Sequence, residues 1–518
     1  MFDELEEIPQ APAPMQFTRI LFPIALAVAW TVQAQNPAPN VREITLQEAI
    51  QMALEHNLDV KIQAINPRIA ELNLKASYAM YEPTLSFAAV HNFSSQPTGV
   101  VDPQGRIVVG SREIATDSFP LGLNTSVGSQ LPTGLRYSIS ERLSHTAIDQ
   151  TGVPTVDNYN ASWTLDLRQP LLRNFWIDPD RAQIQVNKKA LKLSEVALKG
   201  LIITTVAQVE QAYYNLISAR ENVKVAEKGL ELAERTLLEN RKKVEVGALA
   251  PLDEKQAEAQ VATSKAGLIA TQRALDFQEN ALKSLLTDNY ASFHDTTLIP
   301  AEKLLPLPMS YNLQESWQKG LAVRPDLLQA KLDLERQDIT LRLQKNQLLP
   351  SLDAFFSYGL SGTRNTSYSD VLSDLTRDRN PAYTYGGSLT IPLGNIAARN
   401  RYKATRSLKE QAVLQLKKLE QDIMIQIDDA IKAAQSAFER VRATREAREF
   451  AETALDAEQK KLENGKSTTF QVLQLQRDLT QAAFNEIGAL AEYNNALAQL
   501  ALREGTTLER HRLSVNLK

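Results

Sequence analysis

Residues 44–60 read ITLQEAIQMALEHNLDV, and residues 311–327 read YNLQESWQKGLAVRPDL. The two align without a gap, and the register holds to residues 85 and 352. Leu46/Leu313, Gln47/Gln314, Glu48/Glu315, Leu54/Leu321, Asp59/Asp326, Leu74/Leu341, Pro83/Pro350 and Leu85/Leu352 are identical pairs. A repeat at this separation makes the chain two copies of one plan. Each copy opens with a helical stretch, expected over 312–349 in the second, that stops just before a proline. Proline lacks an N–H and restricts the residue ahead of it. Alternating segments follow, then long helical ones, so each copy reads helix, strands, helix, turn, helix.

The alternation is clean in YNASWTLDLR, residues 159–168. Tyr159, Ala161, Trp163, Leu165 and Leu167 share one face, and Asn160, Ser162, Thr164, Asp166 and Arg168 the other. Strands are expected over 84–94, 159–170, 351–361 and 383–393, with an extra hairpin from 121–131 and 135–143 turned at 132–134. His91 interrupts the apolar face of the first. About ten residues is the length of a tilted membrane-crossing strand, although a soluble sandwich edge alternates in the same way. Aromatics on the apolar faces, polar loops and the N-terminus favour the membrane. From Met15 the chain reads MQFTRILFPIALAVAWTVQA, with Arg19 ahead of an apolar run and Val-Gln-Ala at 32–34. That is a secretory signal pattern, and the run is too short for a spanning helix. Residues 1–14 are acidic and precede it, which makes Met15 the expected initiator.

The helices are long. Nothing stops the first between residues 178 and 246, which at ~1.5 Å per residue is roughly 100 Å. Val209, Leu216, Val223, Leu230, Leu237 and Val244 recur every seven residues, with Ala212, Ala219, Ala226 and Ala233 between them. Such a seam lets helices approach closely. The helix expected over 251–287 carries Val261, Leu268, Leu275 and Leu282 at the same interval. Helices over 397–462 and 467–502 repeat the plan with a less regular seam. Between the first pair lies VEVGALAPLDEKQ, residues 244–256, where Gly247 permits a turn and Pro251 suits a helix start. Gly465, followed by Lys466, Ser467, Thr468 and Thr469, is its counterpart.

Composition removes whole classes of function. There is no cysteine, hence no disulfide, thiol chemistry or Cys-based metal site. The five histidines are scattered without ligand spacing and are expected at surfaces or interfaces. A net charge of −4 over 518 residues gives no nucleic-acid footprint. No nucleophile elbow, P-loop or dinucleotide fingerprint occurs, so no catalytic residue, cofactor or metal is expected and the chain does not read as an enzyme. Four to six strands fall short of the ~8 of the smallest membrane barrels, so several chains must share one.

The signal pattern, the duplicated opening LQEAIQMALEHNLD, the P-x-L before each strand run and the VGxxxxxD turn at residues 246–253 together resemble the TolC-type outer-membrane efflux proteins. The resemblance covers residues 44–505. It implies an α+β membrane fold: a homotrimer with a twelve-stranded barrel in outer-membrane lipid, continued by a long α-helical coiled-coil barrel in the periplasm. It further implies passive export, with an inner-membrane transporter joined through a periplasmic adaptor. The units expected are residues 1–34, 35–290 and 291–505, with a polar tail at 506–518.

The tip turns then become the periplasmic mouth, with Gly247, Ala248, Leu249, Pro251, Gly465, Lys466, Ser467, Thr468 and Thr469 as adaptor contacts. Family members can carry paired aspartates on the second turn; the matching positions here are Gln471 and Gln474, and the first turn keeps Asp253. A glutamine ring offers hydrogen bonds without charge. The insert over 96–158 also departs from the family and bears on the strand count. A periplasmic coiled-coil adaptor or structural protein is the other class to weigh, but it would lack the duplicated aromatic strands.

Overall fold

The computed structural model describes residues 40–101, 103–117, 124–150, 153–247, 249–377 and 380–513. The signal pattern, the start codon and Ala248 lie outside these residues. The strands are β1 (Asn40–Ile44), β2 (Thr84–Ala88), β3 (His91–Val101), β4 (Ile107–Asp117), β5 (Asn124–Gln130), β6 (Arg136–Gln150), β7 (Val153–Pro170), β8 (Thr296–Pro300), β9 (Ser351–Arg364) and β10 (Pro381–Thr390). The helices are α1 (Leu46–His56), α2 (Leu58–Ser77), α3 (Pro179–Glu245), α4 (Pro251–Leu286), α5 (Tyr290–Phe293), α6 (Leu313–Val323), α7 (Pro325–Asn346), α8 (Tyr368–Thr376), α9 (Ile396–Glu463), α10 (Thr469–Glu504) and α11 (Thr507–Arg510).

β1 and β8 form a small two-stranded sheet, and the other strands form one antiparallel sheet. The strand expected over 84–94 is two: β2 pairs with β5, and β3 pairs with β4. The reason is the length of β6, whose first half takes β5 and whose second half takes β4. At either level the sheet has six positions, running from β10 through β9, β7 and β6 to β5–β2 or to β4–β3. This exceeds the four per chain that a twelve-stranded trimer needs.

The register puts like with like. Leu167 stands opposite Phe356 and Phe356 opposite Tyr385; Leu165, Tyr358 and Tyr383 make the next row. Ile139 and Val127 continue that row across β6 and β5, and Leu85 ends it on β2. Tyr383 and Tyr385 are 69% and 74% exposed, so this apolar face is open over much of its area. The other face carries Ser138, Ser140, Asn160, Ser162, Thr164 and Asp166. α8 covers only the far end of the apolar face, where Val371 packs on Leu143 and Ala161.

α3, of 67 residues, and α9, of 68, run the length of the helical part, and shorter helices fill beside them. Near the sheet α2 and α7 flank α3, and α7 also packs on α9; away from it α4 and α10 do the same. The seam is buried over its first part, at Val209, Ala212, Leu216, Ala219, Val223, Ala226 and Ala233, while Leu230, Leu237 and Val244 toward the turn are half-buried. The second seam has the same interval, with Ile427, Ala434, Val441 and Leu455 buried in α9. Arg448 occupies the missing step and binds Glu486 of α10, which disguises the pattern in the sequence. No helix among the described residues is long and apolar enough to cross a membrane.

The single helix expected over 312–349 is broken in two, as is the opening helix of the first copy. Asn57 ends α1 and starts α2: its Oδ1 accepts from the amides of Asp59 (2.9 Å) and Val60 (3.2 Å). Its Nδ2 donates to the carbonyl of Leu285 in the last turn of α4 (3.2 Å). Arg324, at the matched position of the sequence repeat, separates α6 from α7. It donates to the carbonyl of Arg503 in the last turn of α10 (3.3 Å) and to Gln426 of α9 (3.1 Å). A helix end leaves four carbonyls without partners, so each residue meets a real demand. The described part of the tail, to residue 513, turns inward. His511 Nε2 lies 2.7 Å from Oε1 of Glu210, a fully buried carboxylate on α3, which it gives a partner. Asn57→Ala should lower stability by about 1–2 kcal/mol, read as a reduced thermal midpoint of the purified protein. Asn57→Asp, which keeps the acceptor but loses the donor to Leu285, should fall between.

Candidate functional site

The two turns expected as a mouth lie at the same end of the helical layer, far from the sheet. Gln476 of α10 donates to Thr236 Oγ1 of α3 (3.0 Å), and from that contact each turn is about the same number of residues away. In the first turn Gly247 has φ +76° and its amide reaches the carbonyl of Val244 (2.9 Å). Leu249, half-buried, bonds back to Lys243 (3.3 Å), and Pro251 opens α4. In the second, Gly465 has φ +70° and bonds to Leu462 (3.0 Å) while Lys466 bonds to Lys461 (2.9 Å). That pair is the Schellman closure of a helix end.

The polar residues of the second turn serve the hairpin itself. Thr468 caps α10, accepting from the amide of Gln471 (3.4 Å), and Ser467 Oγ donates to Glu458 (2.5 Å). Lys461 and then Ser467 hold the Glu458 carboxyl below the usual carboxylate range. A depressed value means this clamp is complete above the ordinary carboxylate pKa and is lost as pH falls through the lowered one. Thr469 corrects the expectation of a surface contact: it is 1% exposed, turned under the hairpin at the first helical position. Gly247, Gly465 and Lys466 are exposed, as are Gln471 and Gln474, which share a face of α10 three residues apart.

Asp253 sits half-buried in the first turn of α4. Among the described residues no hydrogen bond or ion pair joins it to either glutamine, so one chain does not bring the three together. Gln474 instead accepts from Arg477 (3.0 Å). Asp478, exposed on the next turn, is an acid on this face that sequence reasoning passed over; its i+4 spacing from Gln474 was the available signal. Between α4 and α10 runs a cleft of about 360 Å³, floored by Ala226 and Gly229 of α3 and walled by Gln260, Thr263, Thr480 and Gln481. Among the described residues no group of His, Asp or Glu is arranged to hold a metal ion.

Residues 130–287 and 317–506 match the family described as outer membrane efflux protein. The cobalt-zinc-cadmium resistance protein CzcC of Cupriavidus metallidurans is 22% identical over 314 residues, covering 60% of this chain and 70% of that one. The outer membrane protein TolC of Escherichia coli K12 is 24% identical over 350 residues, covering 64% and 68%. Among solved structures the outer-membrane channel OprN superposes with a TM-score of 0.65 at 15% identity, covering 89% of this chain and 90% of that one, a likeness of fold.

Both turn glycines have open space around an added Cβ, so substitution tests backbone strain alone. Gly247→Ala and Gly465→Ala should each cost about 1–2 kcal/mol and speed amide exchange in the adjoining helix turns, with no change in the sheet.

Proposed function

This chain belongs to the outer membrane efflux protein family, whose members are channel-tunnels of tripartite efflux, and on that premise we propose that three copies close into a single pore. The carrying observation is the apolar sheet face, open and aromatic, in direct continuity with α3 and α9. Lipid leaves no partner for a free strand edge, so the edges at β10 and at β2–β3 must be paired in the membrane. Six positions leave those edges running in opposite directions, so β10 of one copy can meet β2–β3 of the next in antiparallel register. Three such copies close on eighteen strands, in place of the twelve that the resemblance implies.

The helical layer asks for the same neighbours. Leu58, Ile62, Ile65, Ile69 and Leu72 of α2 form a heptad stripe that is 49–62% exposed, an unfilled seam for another helix. Cysteine pairs placed across β10 and β2 test the closure. Disulfide-linked trimers are expected; links from β10 to β6 instead would return the count to twelve, and no link in either arm would reject shared strands.

With three copies, the two tip turns ring the periplasmic end, and Gln471, Gln474 and Asp253 line the constriction. The exposed turn residues and the α4–α10 cleft supply a surface for a periplasmic adaptor, whose helices would pack over the small residues there. Transport is passive, and the inner-membrane transporter selects what is exported. Replacing both glutamines, Gln471→Asp and Gln474→Asp, should raise cation selectivity and make the conductance sensitive to divalent ions in planar bilayers. Unchanged conductance and block would remove the glutamines from the constriction.

A further inference from the structure

The helix end of the sheet's polar face holds a cleft of about 430 Å³ lined almost wholly by polar groups. Five strands, β5, β6, β7, β9 and β10, and the two loops after β5 and β7 build it. Gln130 of β5 stands opposite Arg136 of β6, and Arg136 stands directly opposite Arg168 of β7. Asp353 of β9 lies opposite Pro170. Arg173 and Asn174 enter from the loop between β7 and α3. Two guanidinium groups facing each other across neighbouring strands repel, and strand pairs avoid that arrangement unless something lies between them.

The acids nearby answer only one of these charges. Asp353 is taken by Arg168 (2.9 Å). Asp178 is filled by the Nε of Arg181 (2.8 Å), the amide of Arg181 (2.7 Å) and Gln130 Nε2 (3.0 Å). Asp166, two residues along β7 from Arg168 on the same face, does not line the cleft. Among the described residues the side chain of Arg136 bonds only to the neutral Gln130 Oε1 (3.2 Å), and that of Arg173 has no hydrogen-bond or ion-pair partner. Two cations therefore remain without counter-charge around a polar cleft, each with a fork of donors suited to an oxyanion.

We propose that this cleft is a binding site for a small oxyanion, inorganic phosphate or the phosphate or carboxylate of a passing solute, held by Arg136 and Arg173 with Arg168 beside them. Binding itself needs only this chain. Its place on the export path rests on the reading above, in which the polar face lines the lumen; three copies would then set a ring of positive charge where the barrel meets the helices and favour anions there.

Titration calorimetry of the detergent-purified full chain with inorganic phosphate is the test. One saturable site per chain is expected. The double variant R136Q/R173Q, which leaves the Arg168–Asp353 and Arg181–Asp178 pairs intact, should bind at least about tenfold more weakly with an unchanged trimer band. No binding by the parent, or equal binding by both, overturns the proposal. Displacement of phosphate by phosphatidylglycerol nanodiscs but not by soluble glycerol phosphate would assign the cleft to a lipid headgroup and overturn the solute as its source. In bilayers under a KCl gradient, the variant's reversal potential should shift toward cation selectivity. Phosphate binding without that shift upholds the site and overturns its placement in the lumen.

Discussion

The last carbonyls of α4 and α10 must find donors, and Asn57 and Arg324 bring those donors from the residues that precede α2 and α7. On this junction the helical layer depends. α3 and α9 are continuous, but no other helix among the described residues is long enough to run their whole length. Each gap is filled by two shorter helices meeting end to end, and an open junction would leave carbonyls unsatisfied in the middle of the packing. Lys61 and Asp288 reinforce the first junction across the same break (2.6 Å). At the second, Gly505 turns with φ +76° in contact with Arg324, a backbone conformation that a side chain would strain.

From that layer the mouth follows. Ala212, Ala219, Ala226 and Ala233 keep the side chains of α3 short enough for neighbours to close in, and Gly229 lies against Thr480. The second hairpin is tied internally by charge: Arg445 and Arg448 share Glu486, and Arg440 reaches Glu492. The two hairpins are joined to each other by neutral bonds, Gln476 to Thr236 and Asn495 to Asn215 (2.9 Å). Charged pairs within a hairpin and neutral ones between hairpins give the two tips separate rigidity while holding them level.

Much of this was legible in the chain, and the losses have particular causes. The seam of α3 is visible because small and branched residues hold one interval from Val209 to Val244. The seam of α9 has the same interval but shows an arginine at one step, since Arg448 satisfies its charge on a helix distant in sequence. The break between β2 and β3 left only His91 as a trace, because it is set by the length of β6, which must be shared by two partners. Asn57 and Arg324 do the same task with unlike chemistry, so the repeat aligned them without revealing why they matter. Thr469 looked like a turn residue and is buried, since the helix begins at that position and rotates its side chain inward.

By itself the sequence determined that long helices and alternating strands follow one plan, that the plan occurs twice, and where the long helices turn. Those are matters of local periodicity, of positive φ at glycine and of proline's missing N–H, which act within a few residues. Only the tertiary structure decided that eight strands fill six positions, that separate helices meet at Asn57 and Arg324, and that Arg136 faces Arg168 across one strand pair. Each of these depends on which distant backbone supplies a partner for a hydrogen bond or a charge, and that pairing is absent from any single stretch of chain.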